Sequence, residues 1–109
     1  MNRTPNGLTV DVVRDEAGLT AVLAGELDLA TGQALVDEVS SAIDWSEPGV
    51  LTLDFAGISF CDSVGVSALV RLRQDCENHR WQLRIVNTQH PVRRMLVDFT
   101  GLGEYLNVA

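Results

Sequence analysis

The chain has 109 residues, 46% of them apolar, and a formal net charge of −7. That length suits one domain of the commonest size, and the apolar share is enough for a core and too high for a disordered chain. No apolar run approaches the roughly 20 residues of a membrane helix, and the acidic balance argues against nucleic acid or an anionic membrane surface as partner.

The opening MNRTPNG has no apolar segment of the kind a secretion signal needs. Residues 1–7 are read as a flexible tail, residues 8–109 as the domain, and the cytoplasm as its place. LTVDVVR, from Leu8 to Arg14, alternates as a half-buried strand does. DEAG (Asp15 to Gly18) is a turn, and Leu19 to Ala24 a second strand, so the two form an antiparallel hairpin. GELD (Gly25 to Asp28) leads into a helix with Leu35, Val39, Ala42 and Ile43 on its core side, capped by Asp28 or Thr31. Trp45 to Gly49 ends it.

Val50 to Phe55 has the make-up of a central strand. A helix follows from the Asp62-Ser63 junction to about Asn78, with Gly65, Ala68, Leu69, Leu72 and Cys76 as its apolar stripe. Trp81 to Val86 is a strand. A last helix has Pro91 at its first position, Val92, Met95, Leu96 and Phe99 facing the core, and Gly101 as its stop. Tyr105 to Val108 adds a short strand. The order β-β-α-β-α-β-α-β implies an α/β domain, a mixed sheet with helices packed against it.

Charge is unevenly spread. Residues 1–62 carry 11 acids and 2 arginines, residues 63–109 carry 4 acids and 6 arginines, and the sign changes at Asp62-Ser63. That asymmetry is either a solvated surface or a polarised docking face. Cys61 and Cys76 lack C-x-x-C spacing and a histidine pair, which points to reduced, buried thiols and to no metal site. No cofactor motif is present.

Chemistry concentrates in ISFCDSVGVSALVRL, from Ile58 to Leu72. An enzyme built on Ser63 needs a base and an orienting group. The two histidines lie beyond the helix, no G-x-S-x-G elbow occurs, and the chain has no lysine for a phosphate loop. A binding protein is the better reading. Asp62 and Ser63 both suit a helix N-cap, since each offers an oxygen to unpaired first-turn N–H groups. The same place suits a phosphate on Ser63, which would lie among the N–H groups of Val64, Gly65 and Val66 at the positive end of the helix dipole. Gly65, without a Cβ, lets backbone or partner come close. Val66 and Val70 fall off the main stripe and either pack under a neighbouring helix or form an apolar contact face beside Ser63.

GELD at Gly25 to Asp28, LDFAGISFCDSVGVSALVRL at Leu53 to Leu72 and HPVRRMLVDFTGL at His90 to Leu102 resemble, in order and spacing, the STAS domain of bacterial anti-sigma-factor antagonists. The resemblance covers nearly the whole chain from Leu8. It implies a STAS-like fold and a partner-switching role: binding an anti-sigma factor that is also a GHKL-type serine kinase, so releasing a sigma factor for transcription. It further implies phosphorylation of Ser63 by that kinase, loss of binding, and restoration by a serine phosphatase. Asp62 would orient the acceptor or engage the kinase, and Asp28 would share the face of Ser63. Asp28, Asp62, Ser63, Val64, Gly65, Val66 and Val70 are the expected partner-binding residues. The family often has a second hydroxyl residue after the acceptor; Val64 stands there, leaving Ser63 as the motif's single acceptor. The alternatives, an accessory subunit of a lipid-transport ATPase complex or a stress-sensing scaffold, need no phosphate switch.

Overall fold

The structure, a computed structural model, describes residues 7–109 and the short strand at residues 2–3. Met1 and residues 4–6, within the expected tail over 1–7, lie outside the described residues. Among the described residues five strands form one sheet in chain order: β1 (Asn2–Arg3), β2 (Thr9–Arg14), β3 (Gly18–Leu27), β4 (Gly49–Cys61) and β5 (Trp81–Val86). The β1–β2 and β2–β3 pairs are antiparallel, and β3–β4 and β4–β5 are parallel. Helix α1 (Gly32–Ala42) connects β3 to β4, and α2 (Ser63–Asn78) connects β4 to β5. The last helix, α3, begins at His90–Arg93 and continues as a π-helical stretch, Arg94–Phe99.

Two successive right-handed crossovers stepping the same way across a sheet put their helices on one face. The core lies there. Leu19, Ala21 and Leu23 of β3, Leu51, Leu53 and Phe55 of β4, and Leu83 and Ile85 of β5 are buried against Leu35 and Val39 of α1 and Leu69 and Leu72 of α2. The alternate positions, Val22 and Arg84 among them, turn to the uncovered face and stay exposed.

β4 runs six residues past its expected end at Phe55. Its pairing with β3 slips between Val22 and Ala24 and again between Gly25 and Glu26, so β4 carries two extra residues. Each bulge resets which face the next side chain meets. Burial therefore steps Phe55, Ile58, Cys61, and the two-residue alternation that signals a strand is lost. The bulges also let both strands reach the same edge, where Leu27 pairs with Cys61.

Three local expectations are corrected. Pro91 is the second residue of α3, after His90. Phe99 faces solvent at 68% exposure while Val92 and Leu96 are buried, because the π-helical turn rotates it off the 3.6-residue stripe. Tyr105 to Val108 forms a turn and one parallel bridge, Ile85 to Val108, in place of a strand.

Candidate functional site

The parallel strands β3 and β4 end side by side at the same edge of the sheet. Asp28 follows Leu27, and Asp62 follows Cys61, the register partner of Leu27. The fold thus brings the GELD loop and the Asp62-Ser63 junction together. The Asp62 N–H donates to the Leu27 carbonyl at 3.2 Å, tying the two strand ends.

Asp62 is the N-cap of α2. Its backbone is extended, its carboxylate accepts from the Gly65 N–H at 2.8 Å, and its carbonyl accepts from the Val66 N–H at 2.9 Å. Ser63 therefore occupies the first helical position, exposed, and no described residue hydrogen-bonds its hydroxyl. Its carbonyl accepts from the Ser67 hydroxyl one turn on, at 3.1 Å. Of the three N–H groups expected to be open to a phosphate, those of Gly65 and Val66 are taken by Asp62, which leaves Val64.

The other expected site residues divide cleanly. Val64 is 41% exposed beside Ser63. Gly65 and Val66 turn inward and offer a partner little surface. A Cβ on Gly65 would run into the Leu27 carbonyl, so its close approach is to its own chain. Val66 is buried, and Val70 packs half-buried against the core.

Asp28 is half-buried and locally engaged. Its carboxylate accepts from the Ala30 N–H at 2.9 Å and from the Thr31 hydroxyl at 3.3 Å. Thr31 stands at the N-cap position of α1 yet makes no side-chain bond to that helix. Fully buried, it donates to the Glu26 carbonyl at 2.8 Å and accepts from the Asp28 N–H at 3.0 Å, bracing the loop. The expected cap of α1 by Asp28 or Thr31 is not formed: the hydroxyl points back into the loop. Glu26, Asp28 and Asp62 make this end of the molecule acidic.

Burial, and then the neighbouring Asp62 charge, pushes the Cys61 thiol up to about 12. Burial, and then Asp75, pushes Cys76 up to about 11, with Arg73 opposing. Both are free, neutral thiols with little thiolate for reaction near pH 7. Among the described residues no cluster of His, Cys, Asp or Glu could hold a metal ion, and no helix is long and apolar enough to cross a membrane.

Sequence reasoning missed a groove beside Ser63. It lies between α1 and α2 over Gly32 and Ala68, with Leu29 and Val64 at one end and Arg71 at the other. Leu29 is 78% exposed, the most exposed large apolar side chain of those described. A leucine flanked by Asp28 and Ala30 in a loop, outside any periodic stripe, was the available signal.

The family model for the STAS domain matches residues 10–109. An anti-sigma factor antagonist from Mycobacterium paratuberculosis superposes with a TM-score of 0.78 at 23% identity, over 96% of this chain and 87% of that one. The anti-sigma factor antagonist SpoIIAA in its unphosphorylated form gives 0.72 at 21% identity, over 93% and 88%; SpoIIAA from Bacillus is also solved phosphorylated. The murine anion transporter Slc26a9 gives 0.69 at 25% identity, over 87% of this chain and 16% of that one. No curated protein is matched by sequence similarity.

Proposed function

The chain belongs to the STAS domain family, and on that premise we propose that it is an anti-sigma-factor antagonist switched by phosphorylation of Ser63. Unmodified, it binds an anti-sigma factor that is also a GHKL-type serine kinase, and so frees a sigma factor in the cytoplasm. Phosphorylated, it lets go until a serine phosphatase restores the hydroxyl. One observation carries this reading: Ser63 is exposed at the first turn of α2, its hydroxyl without a described partner, while Asp62 does the capping.

That arrangement separates the switch from the fold. A phosphate adds about −1.5 to −2 charge near pH 7. The side-chain cap is already filled by Asp62, and Glu26 and Asp28 add like charge at the neighbouring strand end. The helix dipole and the Val64 N–H favour the phosphate, but no arginine lies within the first two turns of α2 to pull it onto the domain. A partner packed on Ser63 and Val64 would instead face a solvated dianion. A loss of about 3 kcal/mol is already more than a hundredfold in affinity.

The test is a pull-down from native cell extract with wild type, Ser63→Ala and Ser63→Asp, partners being identified by mass spectrometry. The expected result is a GHKL-type kinase held by wild type and Ser63→Ala and lost by Ser63→Asp. Equal capture by all three would make Ser63 a structural residue. The likeness to part of Slc26a9, an anion transporter, supports a second reading, an accessory domain of a membrane transport complex. Recovery of transporter subunits, independent of Ser63, would favour it.

A further inference from the structure

Strand β5 is an outer strand of the sheet, and its free edge is only half covered. The Ile85 N–H donates to the Asn107 carbonyl at 3.1 Å and the Ile85 carbonyl accepts from the Ala109 N–H at 2.9 Å, so residues 107–109 occupy that stretch. These two bonds also fix which residues of β5 look outward. Backbone groups alternate in direction along a strand. The N–H and C=O of Trp81 and Leu83 therefore point away from β4, as those of Ile85 do, while Gln82 and Arg84 bond to β4. The Leu83 carbonyl accepts from Asn107 Nδ2 at 3.1 Å. The Leu83 N–H and the backbone N–H and carbonyl of Trp81 have no partner among the described residues. All of them border an open cavity of about 540 Å³.

The open stretch has fixed ends. Arg80 is left-handed, at φ 64°, so the chain swings out of the sheet just before Trp81. At the other end Asn107 and the residues after it block the edge, and a long extended peptide would run into them. The start of β5 in a second copy would not. Laid antiparallel with Gln82 opposite Gln82, its Trp81 falls opposite Leu83 and its chain leaves at Arg80, where the block begins. This pairing exchanges two backbone bonds between Trp81 of one copy and Leu83 of the other, and the two-fold axis repeats them. Every open group gains a partner, the Leu83 carbonyl through its second lone pair. Charge permits the approach here. The chain carries −7, which opposes self-association, but the cavity rim is balanced, with Arg73 and Arg80 against Glu77 and Glu104.

We propose that the free edge of β5 is a self-recognition site: two copies of the chain pair their Trp81–Leu83 segments antiparallel about a two-fold axis at Gln82, joining two sheets into one. This does not rest on the function proposed above. Trp81 pairs with Gly49, at the opposite end of β4 from Cys61 and Ser63, so the contact lies away from both Ser63 hydroxyls. An unpaired strand edge is a ready template for a further strand. The contact is short, and small interfaces make weak complexes. Monomers prevail at about 10 µM and dimers form as the concentration approaches about 1 mM.

Sedimentation equilibrium of the purified protein over that range reads the association, and oxidative cross-linking of added cysteines reads its register. Gln82→Cys sets two thiols across the axis in a non-hydrogen-bonded pair, with Cα atoms about 4.5 Å apart, a separation that a disulfide accepts. It is expected to cross-link at least tenfold faster than Arg84→Cys. Position 84 is exposed on the same face but offset from its copy by four residues, about 14 Å. Cys61 and Cys76 are buried and take no part. Gln82→Glu and Gln82→Lys, their folds checked by thermal unfolding, are each expected to weaken association at least tenfold, because like charges then face each other. An equal mixture of the two is expected to recover it. A wild type that stays monomeric at about 1 mM overturns the proposal and leaves the edge to a strand of another protein. Equal cross-linking at positions 82 and 84, or a mixture that associates no better than its parts, puts the contact elsewhere and overturns it as well.

Discussion

The first turns of α1 and α2 invite comparison, because both follow parallel strands that end as neighbours and both carry a hydroxyl residue. Thr31, before α1, is fully buried and its hydroxyl bonds to Glu26 and Asp28. Ser63, opening α2, is exposed and its hydroxyl has no described partner. The difference lies in the residue next door. At α2 a carboxylate does the capping, so the serine is relieved of structural duty. At α1 no side chain caps the helix, and the hydroxyl is used to hold the loop. A hydroxyl is available for modification where its neighbour has taken over the fold's requirement.

Substitutions that touch the fold at this edge set the upper end of the contrast. Gly65→Val drives a side chain into the Leu27 carbonyl, and overpacking against backbone is expected to cost about 3 kcal/mol, read from the urea midpoint. Thr31→Val leaves the Asp28 N–H and the Glu26 carbonyl without their partner. A loss of about 2 kcal/mol follows from leaving these part-buried groups unpaired beside the buried Thr31 side chain, and a loss below 0.5 kcal/mol would erase the contrast. Asp62→Ala removes one cap and is expected to cost about 1 kcal/mol, whereas Ser63→Ala stays within about 0.5 kcal/mol of wild type. If Ser63→Ala were the more damaging of the two, the division of labour described here would be reversed.

The thiols give an effect confined to alkaline pH. Cys61 and Cys76 have folded-state values raised to about 12 and about 11 from an ordinary 9.0. A raised value means stability that is fully present below pH 9 and is lost as pH climbs toward 11 to 12, since the unfolded thiols ionise first. Urea midpoints should fall over that window, less so in Cys61→Ala, and iodoacetamide should label neither thiol of the native protein at pH 8.

The order of elements from β2 through β5 was readable from periodicity and turn residues, whereas the two-residue β1 falls in the stretch read as a tail; α2 begins at the Asp62-Ser63 junction as its cap residues suggested. What periodicity did not carry was structure that breaks it. The bulges hid half of β4, and the π-helical turn displaced Phe99. At the site, sequence named the residues that meet at the sheet edge, Asp28, Asp62 and Ser63. Helical spacing put Gly65 on the apolar stripe and left Val66 open between a packed and a contact position; that both are buried follows from the end of β3 lying against that side of α2. Leu29 escaped notice because a lone loop leucine has no period. Only the approach of α1 and α2 at Gly32 and Ala68 makes it the lip of a groove.

The central claim is that a phosphate on Ser63 acts on the partner and leaves the domain unchanged. Its most direct test is a titration of the purified kinase with the protein carrying phosphoserine at position 63, alongside thermal unfolding of both forms. The expected result is at least a hundredfold loss of affinity with the unfolding midpoint hardly moved. Equal affinity for the two forms, or a loss of affinity matched by a collapse in stability, would contradict it.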